Sequence, residues 1–218
     1  MEAYKQLIND VHSSAQSVLV EFSFCDSERG LDDGRIVSAI KELDFLSKLE
    51  EKLSNLKDRR YAFVIAPPRN WFDFSVNNIP FNLKLTTGST DNVFNKMAIV
   101  RSITNHTLCM KYINWTNFAK LVNDRLTTRI PEQEYHFLVC NKHTNKCIVR
   151  SLLDIVSFRS NPSNILQVNW KTEFERDPPE ISINDVGDKQ LRILQTIQKS
   201  ILDQRKDTDL FASFQLTR

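Results

Sequence analysis

Glycine, proline and cysteine are scarce in this chain of 218 residues, which contains four glycines, seven prolines and four cysteines. With so few glycines, the chain lacks a glycine-rich loop of the kind that binds nucleotide phosphates. Four cysteines in a chain of this length do not make a disulfide framework, and a reducing cytoplasm is the expected environment. We detect no internal repeat and no low-complexity tract.

Charge of one sign is not in excess either, since 29 basic and 27 acidic residues leave a formal net charge of +2. The chain as a whole is therefore not a polycation, and any surface for nucleic acid has to arise from local basic clusters. No apolar stretch approaches membrane-spanning length, and the start of the chain lacks the pattern of a signal peptide, so we expect no membrane partner. A hydrophobic content of 41% is enough for a full core.

Local patterns predict how the secondary-structure elements follow one another. Apolar periodicity and capping residues predict helices at 3–20, 34–56, 91–102, 115–126 and 188–204. Short runs rich in β-branched and aromatic residues predict strands at 61–66, 72–76, 79–85, 108–112, 134–140, 147–151 and 165–170. Asn77-Asn78 and the polar segment 141–146 are typical of hairpin turns.

This order of elements predicts an α/β layered fold in which helices flank a mixed β-sheet. We expect a single domain over residues 1–218, with a core of about residues 34–171. The N-terminal helix (3–20) and the C-terminal helix (188–204) are expected to pack on that core or to lie at a dimer interface.

The most informative segment is the predicted hairpin from Asn70 to Gly88, which places Asp73 on one strand and Asn82 and Lys84 on the next. Side chains alternate along a strand, so Asn82 and Lys84 are expected on the same face. Two acidic groups on adjacent strands, followed by a lysine, suit a Mg²⁺-dependent phosphodiester hydrolase, because Mg²⁺ prefers oxygen ligands from one or two carboxylates. Asp73 and Lys84 fit this plan, and Asn82 stands where the second acid would be. An ordinary amphipathic hairpin with solvated Asp73, Asn82 and Lys84 is the alternative interpretation of the same spacing.

The segment resembles the PD-(D/E)xK nuclease superfamily, and type II restriction endonucleases in particular. In that family a strand with Asp-Phe is followed by a (D/E)-x-K strand, and here Asp73-Phe74 and Asn82-Leu83-Lys84 carry the match. The resemblance covers about residues 34–105 in architecture but only a few positions in motif. It implies a restriction-endonuclease-like core, cleavage of double-stranded DNA at a short specific sequence, a homodimer and a prokaryotic cytoplasmic location.

The resemblance also implies roles for individual residues. Asp73, residue 82 and the main-chain carbonyl of Leu83 would bind Mg²⁺. Lys84 would orient or help to deprotonate the attacking water and would offset charge on the phosphate. Glu42 or Glu50, on the long predicted helix, is a candidate for an additional outer carboxylate, although a solvated helix face is the simpler explanation of both.

Asn82 departs from the family pattern, which has an acid at this position, and the proline that commonly precedes the first Asp is also replaced. An amide is neutral and offers one oxygen, so it weakens the binding of a divalent cation. Two explanations stay open: an engineered replacement of Asp that keeps an enzyme bound but silent, or a natural protein that has lost cleavage and kept binding. A catalytically inactive DNA-binding or protein-interaction module is therefore the alternative function.

Polar residues after the second strand and in two later loops are candidate DNA contacts. Hydroxyls, amides and a helix N-terminus suit phosphate binding, and Asn, Lys and His can contact base edges. The candidates are Thr86, Thr87, Ser89, Asn92, Asn95 and Lys96 after the strand, Lys142, His143 and Asn145 in the turn, and Asn161 and Asn164 in the later loop. Capping and ordinary loop polarity explain the first group equally well.

A structural zinc site is not expected, although His136, Cys140, His143 and Cys147 lie within twelve residues of one another. No CxxC pair is present in the sequence. Cys140 and Cys147 end facing predicted strands, where a small apolar residue is common. Magnesium is the cofactor that the resemblance to the nuclease family implies.

Overall fold

A computed structural model describes residues 2–22, 34–57, 60–68, 70–86, 90–92, 96–104, 116–118, 120–121, 135–159, 167–177 and 186–204. Contacts divide the chain into two compact units, one formed by Met1–Gly88 with His136–Val149 and the other by Ser89–Tyr135 with Arg150–Arg218. The single domain expected over residues 1–218 stays a prediction. None of the helices in the described ranges combines the length and the apolar character that a bilayer crossing requires.

The elements follow one another as an alternation of helices and strands, with a 3₁₀ turn at Leu152–Asp154 after the sixth strand. In chain order they are α1 (Glu2–Glu21), α2 (Gly34–Ser54), β1 (Phe63–Ile65), β2 (Phe74–Val76), β3 (Ile79–Thr86), β4 (Thr90–Asn92), α3 (Lys96–Thr104), β5 (His136–Asn141), β6 (Lys146–Ser151), β7 (Phe158–Arg159), β8 (Gln167–Asn169), α4 (Trp170–Glu175) and α5 (Val186–Gln204). The predicted α/β class is confirmed.

The sheet of the first unit has the order β1-β2-β3-β5-β6, with β3 at its centre. β1 pairs with β2 and β2 with β3 in antiparallel fashion, whereas β3 and β5 run parallel. The sheet is therefore mixed, as predicted. α1 and α2 pack against each other, and α1 reaches the sheet through the Tyr4 hydroxyl, which lies 2.7 Å from Nε2 of the buried His136.

The β2–β3 hairpin turns at Asn77 and Asn78, which have φ angles of 49° and 66°. Two consecutive residues with positive φ form the turn whose twist matches the flanking strands, and asparagine tolerates this conformation better than most residues. The turn sets the register that pairs Phe74 with Phe81. Their buried rings stack with centroids 4.9 Å apart, which fixes that register in the core.

The second unit contains a three-stranded sheet in the order β4-β8-β7. The helix predicted over 91–102 is wrong at its start, since Thr90–Asn92 is a strand and α3 begins at Lys96. The reason is that β4 pairs antiparallel with β8, so ladder hydrogen bonds to a distant segment outweigh the local capping signal.

The strand predicted over 165–170 is wrong at its end, and residues 165–166 lie outside the described residues. β8 ends at Asn169, whose side chain accepts a hydrogen bond from the N–H of Thr172 and so caps α4. Trp170, predicted as the last strand residue, is instead the first residue of that helix and is fully buried.

The remaining element predictions are confirmed where the structure describes them. The hairpin predicted at 134–140 and 147–151 is present as β5 and β6, and the closing helix predicted at 188–204 is α5. Residues 116–118 and 120–121 are helical, whereas the rest of the helix predicted over 115–126 and the strand predicted at 108–112 lie outside the described residues.

A buried network of charged groups joins α4 to the loop after β6 in the second unit. Glu173 is fully buried, and its carboxylate accepts hydrogen bonds from the N–H groups of Val156 (3.1 Å) and Ser157 (3.0 Å) and from the Arg176 guanidinium (2.6 Å). Arg150 donates to the carbonyl oxygens of Glu173 (2.9 Å) and Arg176 (2.7 Å). Burial alone would raise the pKa of Glu173, but these hydrogen bonds outweigh it and leave that pKa below its ordinary value.

We predict that Glu173→Gln lowers the free energy of unfolding by about 3 kcal/mol, because it removes the buried negative charge that pairs with Arg176 and lies beside the buried Arg150. Denaturant unfolding near neutral pH measures this loss. Glu175→Gln, on the exposed face of the same helix, is the matched control and should cost less than about 0.5 kcal/mol. Because the pKa of Glu173 is lowered in the folded state, its stabilising effect is present above the unfolded-state pKa and is lost as the pH falls through the folded-state pKa. The free energies of unfolding of the two variants should therefore become equal in acid.

Candidate functional site

Asp73 immediately precedes β2, and its carboxylate lies against β3. Oδ2 of Asp73 accepts a hydrogen bond from the N–H of Leu83 at 2.8 Å. The main-chain N–H of Asp73 donates to the carbonyl of Phe81, and its carbonyl accepts from Ala66, each at 2.9 Å. Because Phe81 is already the partner of Phe74 in the ladder, the chain departs from regular pairing at Asp73, as at a β-bulge.

Asn82 and Lys84 flank Leu83 on β3. Leu83 is buried in the core, whereas Asn82 and Lys84 are half-buried, and the alternation of side chains places these two on the opposite face from Leu83. The N–H that holds Asp73 belongs to the peptide bond between Asn82 and Leu83, so the carboxylate lies beside Asn82. The Lys84 charge also acts on the Asp73 carboxyl, so Asp73, Asn82 and Lys84 lie in the same part of the sheet.

Burial at this site changes the pKa of the Asp73 carboxyl. Burial raises its pKa above the ordinary value, and the Leu83 hydrogen bond and the Lys84 charge oppose this rise without cancelling it. The ionised form is therefore costly in the free protein, and a nearby cation would reduce that cost. Among the described residues, no donor reaches the second carboxylate oxygen, Oδ1.

The side-chain oxygen of Asn82 is buried and accepts no hydrogen bond from the described residues. Leaving a buried acceptor without a partner costs about 1–3 kcal/mol, so this oxygen favours a donor or a cation. The oxygens of Asp73 and Asn82 are the hard ligands that Mg²⁺ prefers, but together they carry one negative charge instead of two. In the part of the chain that is described, no three His, Cys, Asp or Glu side chains gather into a metal-binding group.

Four of the candidate DNA contacts lie around the far end of β3. Thr86 is buried, and its carbonyl accepts a hydrogen bond from the N–H of Lys142 at 2.9 Å. Lys142 is half-buried, while His143 and Asn145 are exposed in the same turn. Oδ1 of Asn141 accepts from the N–H of His143 at 2.9 Å, and Asn145 has a φ of 50°, which together define the turn.

The remaining candidates lie in the second unit or outside the described residues. Asn92 is the last residue of β4 and Lys96 the first of α3, and both belong to the second unit. Thr87, Ser89, Asn95, Asn161 and Asn164 lie outside the described residues. On α2, Glu42 is half-buried and Glu50 is exposed.

Two side chains of α1 that the sequence did not single out bind the β5–β6 hairpin. Gln16 accepts a hydrogen bond from the N–H of Cys147 (3.0 Å) and donates one to the carbonyl of Asn145 (2.7 Å). His12 donates from Nε2 to the carbonyl of Cys147 at 3.1 Å. These partners are 129–135 positions apart in the chain, so no local pattern could have indicated them.

Comparison of the chain with protein-family models, with curated proteins and with solved structures finds no match. The nuclease resemblance carried by Asp73-Phe74 and Asn82-Leu83-Lys84 therefore stays a prediction. The functional argument depends on the geometry of Asp73, Asn82 and Lys84 and on the chemistry of those groups.

We predict that Asp73→Asn stabilises the free protein at neutral pH by on the order of 1 kcal/mol, the usual size of a single stabilising substitution. The amide removes a buried charge, and its oxygen can still accept the Leu83 hydrogen bond. A raised folded-state pKa means that Asp73 favours the fold most below its unfolded-state pKa and less as the pH rises through the folded-state value. The free energy of unfolding of Asp73→Asn should therefore exceed that of the parent by an amount that grows from acid to neutral pH.

Denaturant unfolding of the parent and of Asp73→Asn at several pH values measures this difference. Asp44→Asn, on the exposed face of α2, is the matched control and should change the free energy of unfolding by less than about 0.5 kcal/mol at every pH. A destabilised Asp73→Asn at neutral pH would assign the carboxylate a structural role instead.

Proposed function

We propose that this chain is a type II restriction-like endonuclease that, with Mg²⁺, hydrolyses phosphodiester bonds of double-stranded DNA at a short specific sequence. The observation that carries the proposal is the hydrogen bond from the Leu83 N–H to Asp73, which holds the acid beside Asn82 and within electrostatic range of Lys84. A restriction-endonuclease-like core has an acid on one strand beside a (D/E)-x-K strand, and Asp73 beside Asn82-Leu83-Lys84 fits this pattern except at residue 82. In this sequence Asn82 lowers the negative charge of the site and suppresses turnover.

The oxygens at the site suit Mg²⁺. Asp73 and Asn82 would hold it with their side-chain oxygens, and the family resemblance adds the main-chain carbonyl of Leu83. Bound there, Mg²⁺ would neutralise charge on the phosphate and activate a water molecule. Asn82 adds an oxygen to this set without adding charge, so an Asp at the same position would strengthen cation binding.

Lys84 supplies the positive group that phosphodiester hydrolysis needs besides the cation. Its half-buried side chain shares a face of β3 with Asn82, and its charge acts on the Asp73 carboxyl. An ammonium group at this place can donate a hydrogen bond to the attacking water or to a phosphate oxygen. It thereby offsets the negative charge that develops on the phosphate in the transition state.

The turn at residues 142–145 extends the proposed site toward DNA. The hydrogen bond between the Lys142 N–H and the Thr86 carbonyl places this turn at the end of β3, two residues beyond Lys84. His143 and Asn145 are exposed there and suit contacts to phosphates or base edges. A homodimer, in which each copy acts on one strand of a symmetric target, is part of the proposal.

We predict that Asn82→Asp makes the chain an active, Mg²⁺-dependent endonuclease. The variant should cut duplex DNA into discrete fragments at least about 100-fold faster than the parent, since one added charge-stabilising group has an effect of this size. Mg²⁺ should also raise the melting temperature of the variant more than that of the parent, because a ligand of the native state stabilises it. Cleavage assays and thermal unfolding with and without Mg²⁺ measure the two effects.

Two further variants in the Asn82→Asp background separate the roles of the site residues. Lys84→Ala should abolish cleavage but keep the Mg²⁺-induced stabilisation, because the lysine acts on water and phosphate. Lys48→Ala, exposed on α2, is the matched control and should leave cleavage unchanged. Intact DNA across many substrates, together with no Mg²⁺-induced stabilisation of Asn82→Asp, would refute the nuclease proposal.

A catalytically inactive DNA-binding module is the second candidate function, and Asn82 is the observation that favours it. With an amide beside Asp73, the site binds a divalent cation weakly, whereas the exposed turn next to it keeps its basic character. This candidate predicts salt-sensitive DNA binding without Mg²⁺ and no cleavage by Asn82→Asp. The absence of both binding and cleavage would favour a protein-interaction module instead.

We predict that Lys142→Ala weakens DNA binding to all sequences alike and reduces the slope of log affinity against log salt by about 1, as expected for one lost phosphate contact. Fluorescence anisotropy of the parent and the variant with duplex DNA at several salt concentrations measures the slope. Lys48→Ala serves as the control with an unchanged slope. Equal salt slopes for Lys142→Ala and the parent would show that Lys142 makes no phosphate contact and would contradict the assignment of this turn to the DNA-binding surface.

A further inference from the structure

Cys140 and Cys147 lie opposite each other in the β5–β6 hairpin. β5 and β6 are neighbours in the sheet and are joined by the short turn at residues 142–145, which makes the two strands antiparallel. Cys140 is one residue before the end of β5 and Cys147 one residue after the start of β6, so both are equally far from the turn. Both side chains are buried, and the two thiols are close enough for each to affect the ionisation of the other. The Cys147 thiol also donates a hydrogen bond to the carbonyl of His12 at 3.6 Å.

The main chain of Cys147 shows which kind of cross-strand pair this is. Its N–H donates to Oε1 of Gln16 and its carbonyl accepts from His12, so both groups point away from β5. In an antiparallel ladder, a residue with both groups turned outward belongs to a non-hydrogen-bonded pair, whose Cα atoms are about 4.5 Å apart and whose side chains are closest. This separation lies within the range of about 4.4–6.8 Å that a disulfide spans.

We propose that Cys140 and Cys147 form a reversible disulfide by exchange with a small-molecule disulfide such as oxidised glutathione. The Cys147 thiolate attacks one sulfur of that disulfide, forms a mixed disulfide and releases one thiol. Cys140 then attacks the Cys147 sulfur, closes the intramolecular bond and releases the second thiol. Each cysteine loses one proton, each released thiol gains one, and the two electrons given up by the cysteines reduce the small disulfide.

Cys147 is the attacking thiol in this exchange. The neighbouring Cys140 thiol and, to a lesser extent, His12 lower the pKa of Cys147 despite its burial. Burial, with the Cys147 neighbour, instead raises the pKa of Cys140. The thiolate is the reacting form of cysteine. Cys147 also lies on the edge strand β6, whereas Cys140 lies on β5 between β3 and β6. Cys147 therefore forms the mixed disulfide and Cys140 resolves it. Cys147 is buried, so the exchange requires the contacts of His12 and Gln16 with the hairpin to open.

The bond would tie together the two strands that carry the turn at 142–145. That turn is already anchored by the Lys142–Thr86 hydrogen bond at one end and by Gln16 at the Asn145 carbonyl at the other. Oxidation would therefore reduce the freedom of the hairpin without requiring a new fold. This thiol chemistry is independent of the proposed nuclease activity.

The test uses the full chain with Cys25→Ser and Cys109→Ser, so that Cys140 and Cys147 are the two remaining cysteines. The folded, reduced protein is incubated with oxidised glutathione, alkylated, digested and mapped by mass spectrometry. We expect a cross-linked peptide pair that joins Cys140 to Cys147, and recovery of both free thiols after dithiothreitol. The unsubstituted chain, mapped in the same way, should show the same cross-link, which guards against a folding defect of the serine variant.

Single substitutions in that background separate the two thiols. With Cys140→Ser, Cys147 should accumulate as a mixed disulfide with glutathione, because no second thiol can resolve it. With Cys147→Ser, Cys140 should react at least about tenfold more slowly, since a buried thiol of raised pKa is a poor nucleophile. The proposal would be overturned if Cys140 and Cys147 both remained free thiols in the folded unsubstituted chain after equilibration with the oxidant. A cross-link between them that forms only in urea would also overturn it.

Discussion

The hydrogen bond from the Leu83 N–H to the Asp73 carboxylate fixes the candidate site. A main-chain donor on the central strand of a sheet cannot rotate away, so it holds the acid in a constant position relative to Asn82 and Lys84. β3 is itself held on both sides, by β2 and by β5. The same burial that gives this precision raises the pKa of Asp73, which is the usual conflict between stability and a functional charge.

Local sequence patterns are sufficient to predict the secondary-structure elements that depend on a few neighbouring residues. α1 and α2 follow from apolar spacing, and the β2–β3 hairpin follows from two asparagines that accept positive φ. Once that turn sets the register, alternation alone places Asn82 and Lys84 on one face of β3. The predictable part of the site is thus the part that strand geometry dictates.

The features that the sequence does not reveal depend on distant partners. β4 forms in a segment that has helix-capping residues because it pairs with β8, far along the chain. The burial of Glu173 depends on hydrogen bonds to its carboxylate from Arg176 and from the N–H groups of Val156 and Ser157. At the site, residue spacing does not predict that the Asn82 side-chain oxygen is buried without a hydrogen-bond donor among the described residues. Spacing also does not predict that the Leu83 N–H donates to Asp73. Both features depend on how the neighbouring strands pack.

The contacts of α1 with β6 bear on how the chain avoids self-association. In the described sheet β6 is the outermost strand, and such an edge offers backbone groups that can recruit a strand from another molecule. The amide of Gln16 imitates a neighbouring strand by binding one donor and one acceptor of that edge. Removal of α1 would expose the backbone N–H and C=O groups of the β6 edge to pairing with a strand of another molecule. α1 therefore protects the protein from aggregation as well as forming part of the core.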